Sequence, residues 1–140
     1  MSDFYSCKLD KNEQLNYYPS NKVRWLDLDS EFEMVREYYS LISSVDINKE
    51  DFIDPQWKMC ALVDDEKILA YAGVLFMTHS NWEIGAVSTH PEQRNKGYAK
   101  NVCSFIAKFI LENGKQATCN TDINNHAMRK VMTDIGMIMQ

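Results

Sequence analysis

A strand, a helix and a second strand follow one another over residues 82–121, and this succession constrains the fold most strongly. Residues 82–89 and the short stretch 116–121 are predicted to be strands. Residues 97–113 carry an apolar stripe at helical spacing, and Gly114 suits the left-handed residue that ends a helix. Two strands joined through a helix lie parallel in one sheet, with a right-handed crossover.

The chain before residue 82 predicts antiparallel strands instead. Residues 58–63 and 68–77 flank an acidic turn and form a predicted hairpin, and residues 23–28 form a short strand before it. A helix is predicted over residues 30–43, where Ser30 and Glu33 fit a capping box. Together these elements predict a mixed α/β (α+β) sheet.

Both ends of the chain are predicted to lack regular strands. Residues 1–20 are polar and contain Pro19, so we expect an irregular N-terminal extension. Asn124 or Asn125 can cap a last helix that ends at Gly136. Only four residues follow, so no strand is expected after that helix. With 140 residues, we expect a single domain over 1–140.

The composition limits the class of protein. Apolar residues make up 45% and charged residues 25% of the chain, which is typical of a soluble globular domain and excludes a disordered one. No apolar stretch approaches the ~20 residues that cross a bilayer, so no membrane partner is expected. Four cysteines without metal-site spacing predict no metal and a reducing, cytoplasmic compartment.

The net charge of −5 is unevenly distributed. Residues 1–66 carry 15 acidic and 7 basic residues, whereas residues 67–140 carry 5 acidic and 8 basic ones. An acidic chain binds nucleic acid poorly, so no nucleic-acid partner is expected. The basic half is compatible with a small anionic ligand, although a solvated surface explains the asymmetry equally well.

Residues 87–99 are the segment that points to chemistry. They form a predicted strand end, a loop and a helix start, where unpaired backbone N–H groups and the helix dipole favour phosphate. Gly97 and Ala99 leave room for a phosphate, and Arg94, Lys96 and Lys100 add positive charge. Neither a P-loop nor a dinucleotide fingerprint is present, so an ordinary strand–helix connection is the alternative.

The motif Arg94-x-x-Gly97-x-Ala99 resembles the [QR]-x-x-G-x-[GA] signature of the GNAT superfamily of acyl-CoA N-acyltransferases. Val87-x-Thr89-x-Pro91 resembles the strand end that precedes this signature. Asn125 and the pair Gly136-Met137 resemble a second family element. The resemblance implies a mostly antiparallel sheet flanked by helices, in which the two central parallel strands splay apart and the C-terminal strands are missing or shortened.

The resemblance also implies a site for acetyl-CoA, or another acyl-CoA, as co-substrate. The backbone of residues 87–89 would bind the pantetheine arm, and Asn125 would contact it from the other side. The pyrophosphate would lie at the loop and helix start. The implied cofactor-binding residues are Val87, Ser88, Thr89, Arg94, Asn95, Lys96, Gly97, Tyr98, Ala99, Lys100 and Asn125.

The reaction implied is direct acetyl transfer to an amine of a small molecule or a peptide. A base must take the proton of the amine, and Glu83 or an ordered water is the candidate. Strand alternation predicts that Glu83 shares a sheet face with Gly85, Val87 and Thr89. The alternative for Glu83 is a solvated carboxylate at a strand start.

Two departures from the family pattern leave other functions open. Met132 stands where many members have a proton-donating Tyr, and the strands after the last helix are missing. The strand at residues 116–121 is then an open edge, which a homodimer partner or the N-terminal extension could cover. The alternatives are a non-catalytic acyl-CoA-binding sensor or regulatory domain, and a structural module without a cofactor.

Overall fold

The mixed α/β class is confirmed by a computed structural model, which describes residues 3–11 and 14–140. A seven-stranded sheet carries four α-helices, and a 3-10 turn at Pro91–Gln93 precedes the third helix. The strands are β1 (Phe4–Leu9), β2 (Val23–Trp25), β3 (Trp57–Asp64), β4 (Lys67–Leu75), β5 (Asn81–Thr89), β6 (Gln116–Asp122) and β7 (Ile138–Met139). The helices are α1 (Phe32–Ser43), α2 (Lys49–Phe52), α3 (Tyr98–Glu112) and α4 (His126–Asp134).

The strands lie in the order β2-β3-β4-β5-β6-β1-β7. Every neighbouring pair is antiparallel except β5 and β6, which are parallel and connected through α3. The strand–helix–strand succession therefore gives the parallel pair that the sequence predicts. This pair lies at the centre of the sheet, where β4 and β1 flank it.

Each face of the sheet packs against its own helices. On one face, α3 and α4 bury residues such as Ile106 and Met132 against Ile84 of β5. On the other face, α1 and α2 contribute Val35, Tyr38 and Phe52, which pack against side chains of β3 and β4. Among the described residues, no member of this second cluster comes from β5, β6 or β1.

The sequence predicts an irregular N-terminal extension over residues 1–20, and this prediction is wrong because residues 4–9 form β1. This strand pairs with β6 along its whole length, with Cys7 opposite Cys119. Cys7 and Leu9 are fully buried, and this burial stabilises the strand. The edge of β6 that was expected to be open is thus covered by the N-terminal segment. Residues 1, 2, 12 and 13 lie outside the described residues.

The prediction that no strand follows the last helix is also wrong. Ile138 and Met139 form β7, which pairs antiparallel with β1 at Lys8 and Cys7. A two-residue strand is too short to show a period in sequence. It exists because β1 offers an unpaired edge beside it.

Strand β5 does not alternate regularly, so the predicted face of Glu83 is only partly correct. Gly85 lies opposite Gly73 and Ser88 lies opposite Tyr71, which leaves two residues of β5 facing one of β4. Ala86 takes a positive φ of 52° at this bulge. The extra residue moves Val87 and Thr89 to the opposite face. Glu83 therefore shares its face with Gly85 and Ser88.

Helix α1 begins later than predicted and without the capping box. Its N-cap is Glu31, whose side chain caps no helix amide. The Glu31 carboxylate instead accepts hydrogen bonds from the Arg24 guanidinium at 2.8 and 2.6 Å. That ion pair keeps Glu31 beside β2, so Ser30 stays outside the helix. Helix α2 is only four residues long and falls between residues 43 and 58, where the sequence predicts no regular element.

Candidate active site

The loop between β5 and α3 gives the start of α3 a set of unpaired backbone N–H groups. His90 accepts a hydrogen bond from the Glu92 amide through Nδ1 at 3.1 Å and shapes the 3-10 turn. Asn95 and Gly97 then take positive φ values of 65° and 80°. Gly97 is the N-cap of α3, and no side chain caps the helix. The first-turn amides are therefore available to an anion.

A cavity of about 530 Å³ opens between this loop, the end of β5 and helix α4. Its volume is typical of a site for a small molecule or a cofactor. Ten of the eleven residues that the sequence assigned to a cofactor line it: Val87, Ser88, Thr89, Arg94, Asn95, Gly97, Tyr98, Ala99, Lys100 and Asn125. Lys96 does not line the cavity, and its ammonium donates a hydrogen bond to Gln93 Oε1 at 2.8 Å.

Six lining residues were not predicted from the sequence: Gln93, Ala127, Met128, Lys130, Val131 and Asp134. Five of them belong to α4, which forms the wall opposite the loop. The signal was available, because positions 127, 130, 131 and 134 recur at helical spacing behind Asn125. Asn125 itself caps α4 by accepting a hydrogen bond from the Met128 amide at 3.1 Å.

The charges in the cavity are mostly positive. The ammonium groups of Lys130 and Lys100 lie 3.0 and 3.5 Å from the same carboxylate oxygen of Asp134. The hydrogen bond from Lys130 lowers the pKa of Asp134, and Lys100 lowers it further. Arg94 is exposed and makes no salt bridge with any described residue. One carboxylate thus faces three cationic side chains.

The parallel ladder between β5 and β6 covers only the first four residues of each strand. It runs from Asn81 opposite Gln116 to Ile84 opposite Cys119. Beyond that point, no further pair joins the two strands within the chain as described. The backbone groups of residues 85–89 that point towards β6 are therefore available to an extended ligand, which can bind as an added strand.

Glu83 lies on β5, directly before the ladder ends. Its Oε1 accepts a hydrogen bond from Asn120 Nδ2 at 2.8 Å, so the two side chains bridge β5 and β6. Glu83 does not line the cavity of about 530 Å³. The structure therefore separates the candidate base from the candidate cofactor residues along β5.

The surroundings of three other side chains bear on catalysis. Met132 is fully buried in the core and carries no exchangeable proton. Burial raises the pKa of Cys119 to about 12, with the charge of Glu83 adding to it, so this thiol is a poor nucleophile at neutral pH. Tyr98 is half-buried, packs against the core and also lines the cavity.

Neither a metal site nor a membrane span is found in the part of the chain that the structure describes. Its histidines, cysteines and carboxylates form no cluster of three or more that could hold a metal ion. Across residues 3–11 and 14–140, no helix combines the length and the apolar character that crossing a membrane requires.

The family model for the acetyltransferase (GNAT) family matches residues 21–137. The chain belongs to this family. The match covers every element from β2 to α4, including the β5–α3 loop and both sides of the cavity. The resemblance that the motifs at Arg94 and Asn125 carry is thereby confirmed. No curated protein sequence matches the chain.

Solved structures of GNAT proteins share the fold. An acetyltransferase from Novosphingobium aromaticivorans superposes with a TM-score of 0.78 at 14% identity, over 98% of this chain and 59% of its own. A Colwellia psychrerythraea acetyltransferase gives 0.76 at 16% identity, over 99% of this chain and 54% of its own. The chain therefore spans little more than half the length of these two proteins.

An aminoglycoside acetyltransferase is similar over most of its own length. This protein, from an uncultured soil metagenomic sample and solved in complex with sisomicin, gives a TM-score of 0.63 at 15% identity. The match covers 81% of this chain and 86% of that protein. At such identities the likeness shows a common fold.

Proposed function

We propose that the protein is an acyl-CoA-dependent N-acyltransferase that transfers an acetyl group directly to an amine. The observation that carries this proposal is the continuity between the cavity and the gap between β5 and β6. Val87, Ser88 and Thr89 line the cavity and also lie beyond the last β5–β6 pair. One extended ligand can therefore have its phosphates at α3 and its reactive end in the gap.

The residues present fit acetyl-CoA. The first-turn amides of α3 are uncapped, which suits a pyrophosphate. Lys100, Lys130 and Arg94 supply positive charge around it, and the φ of 80° at Gly97 brings the backbone close. The free backbone of residues 87–89 suits the amide groups of the pantetheine arm. Acetyl-CoA supplies the thioester from which the acetyl group is transferred.

Glu83 serves as the base in this proposal. An ammonium group cannot attack a carbonyl, so the acceptor must first lose a proton, directly or through water, to the Glu83 carboxylate. The neutral amine nitrogen then adds to the carbonyl carbon. As the carbon–sulfur bond breaks, coenzyme A leaves as a thiolate, and the second proton of the amine passes to it directly or through water. Backbone N–H groups near the bulge at Ala86 are the candidates to stabilise the negative charge on the carbonyl oxygen.

The residue at position 132 cannot act as the acid that protonates the leaving thiolate. Met132 is fully buried and has no proton to donate. The pKa of a thiol is about 8.5, so a thiolate is a better leaving group than an alkoxide and needs less help from an acid. The missing Tyr therefore changes how the leaving group is protonated without preventing transfer.

The acceptor is proposed to be a small molecule with a cationic amine. The acidic half of the chain favours a cation, and one structural neighbour was solved with the aminoglycoside sisomicin. A peptide amine remains the other acceptor class predicted from the sequence. The cytoplasmic location and the homodimer also stay predictions. The homodimer was expected because it could cover an open edge of β6, but β1 already covers that edge.

Calorimetric titration with coenzyme A tests the cofactor site. Gly97→Glu places a carboxylate at the start of α3, so we expect binding to be lost. Gly114→Glu is the matched control, because Gly114 also has a positive φ, at 74°, and open space around it but lies outside the cavity. Equal affinity for wild type and Gly97→Glu would refute the proposed placement.

Thiol release from acetyl-CoA with a panel of amines tests the activity. We expect turnover with at least one small cationic amine, and a rate at least a hundredfold lower for Glu83→Gln, as the loss of a general base predicts. Tight coenzyme A binding without turnover for any amine would favour the sensor domain instead. Absence of binding would favour the structural module.

A further inference from the structure

Three polar side chains from three strands are linked by hydrogen bonds beside the gap between β5 and β6. They are Ser6, Asn120 and Glu83, and together they form what we call the polar chain. Ser6 on β1 lies opposite Asn120 on β6. Glu83 on β5 lies opposite Thr118, two residues before Asn120 on the same strand face. All of these side chains therefore lie on the face that carries α1 and α2, where the apolar cluster of these helices includes no described residue of β5, β6 or β1.

In the polar chain, each hydrogen bond is donated in the direction of Glu83. Ser6 Oγ donates to Asn120 Oδ1 at 2.5 Å, and Asn120 Nδ2 donates to Glu83 Oε1 at 2.8 Å. The opposite orientation of the Asn120 amide would put its oxygen against the carboxylate. Glu83 thus selects the orientation of the amide, and the Ser6 hydroxyl stabilises that orientation.

We propose that Asn120, held by Ser6, is a positioning residue that fixes the Glu83 carboxylate beside the gap. This inference rests on the proposed function. A Glu side chain that nothing holds must lose rotamer freedom when it is fixed in one position. Asn120 restricts that freedom before the acceptor arrives and uses only Oε1. The second oxygen, Oε2, makes no hydrogen bond with a described side chain and is available to the acceptor.

Strand β1 contributes to this arrangement through Ser6, which holds Asn120. Ser6 belongs to the segment that the sequence predicted to be irregular, and that segment lies outside the residues matched by the family model. The polar chain therefore depends on a strand outside the residues that the family model matches.

Steady-state kinetics with Asn120→Ala test the positioning role. We expect kcat to fall about tenfold while the KM for acetyl-CoA stays unchanged, because Asn120 lies outside the cavity. Ser6→Ala should reduce kcat by a smaller factor, about threefold. Asn21→Ala, in the exposed turn before β2, is the matched control and should retain full activity.

A double-mutant cycle separates positioning from a structural effect. If Asn120 acts through Glu83, Asn120→Ala should lower kcat less than twofold in the Glu83→Gln background. Equal tenfold losses in both backgrounds would overturn the proposal. An Asn120→Ala protein that keeps wild-type kcat would overturn it as well.

Nuclear magnetic resonance gives a readout that needs no turnover. A carboxylate is a stronger acceptor than an amide oxygen, so the side-chain N–H proton of Asn120 should move upfield in Glu83→Gln. An unmoved signal would refute the contact. Wild-type protein that turns over no amine would refute the proposed function itself, whereas an active wild type with additive losses refutes only the positioning role.

Discussion

The backbone of Gly136 lies directly against the carbonyl group of Gln14. A Cβ atom at this glycine would overlap the Gln14 oxygen, and the φ of Gly136 is +102°. One residue earlier, the carbonyl of Ile135 accepts a hydrogen bond from the Asn16 amide at 2.9 Å. The end of α4 is thereby joined to the segment that follows β1.

Gly136→Ala should therefore destabilise the protein strongly. Overpacking alone costs about 1–3 kcal/mol, and a left-handed residue with a Cβ adds about 1–2 kcal/mol. We expect a loss of about 3 kcal/mol in the free energy of unfolding, measured by urea denaturation. Gly114→Ala is the control, because its positive φ is similar but nothing lies near its Cβ. Its loss should stay near 1 kcal/mol.

The bulge at Ala86 predicts a stabilising substitution. Ala86 is exposed and has a φ of 52°, which glycine adopts without strain. Ala86→Gly should raise the free energy of unfolding by about 0.5–1 kcal/mol, whereas Ala86→Val should lower it. Ala127→Gly, at an exposed position of α4, should instead lose up to about 1 kcal/mol. A loss at both alanines would argue against the bulge.

The ion pair between Arg24 and Glu31 predicts a pH dependence of stability. The hydrogen bonds from Arg24 lower the pKa of Glu31 in the folded protein. Wild type should therefore be more stable than Glu31→Gln above about pH 4.3, the ordinary pKa of Glu. This advantage, at most about 1 kcal/mol for an exposed pair, disappears as pH falls through the lower folded-state pKa.

Denaturation midpoints measured from pH 7 down to pH 3 follow this effect. In an Arg24→Gln background the pKa of Glu31 loses its main cause of lowering. Glu31→Gln should then change stability by a nearly constant amount over the same pH range. A pH-dependent difference that persists without Arg24 would contradict the assignment.

Removing the charge of Asp134 should raise the affinity for coenzyme A. Its carboxylate pairs with both Lys100 and Lys130 inside the cavity. Asp134→Asn should free both cations and remove a repulsive charge, so the dissociation constant should fall about threefold to tenfold at low salt, as exposed ion pairs allow. Glu112→Gln is the matched control, since it frees Lys108 outside the cavity. Equal changes for both variants would contradict a local effect.

The central elements were predictable because their local signals agree with their burial. The apolar stripe of α3, the acidic turn between β3 and β4, and Asn125 as the cap of α4 all match the structure. Ten of the eleven candidate cofactor residues lie in one such stretch, residues 87–100, and nine of these ten line the cavity. The proximity of that segment to Asn125 was expected only from the resemblance to the family.

The wrong predictions concern segments whose structure depends on the neighbouring strand with which they pair. β1 alternates between buried Cys7 and Leu9 and polar Ser6 and Lys8, a weak signal over six residues. The bulge in β5 places the positive φ at Ala86, and the only sign of it in the sequence is the neighbouring Gly85 inside the strand. One extra residue there reversed the faces of Val87 and Thr89.

The sequence by itself determined helices α1, α3 and α4, the parallel pair and the segment at the start of α3, since helical periodicity and caps act over a few residues. Only the tertiary structure decided that β1 completes the sheet and that Glu83 meets Asn120. Strand pairing joins residues 114 positions apart, as between Ser6 and Asn120, and no local pattern encodes such a partner. The cofactor segment was therefore predictable, whereas the polar chain beside the gap was not.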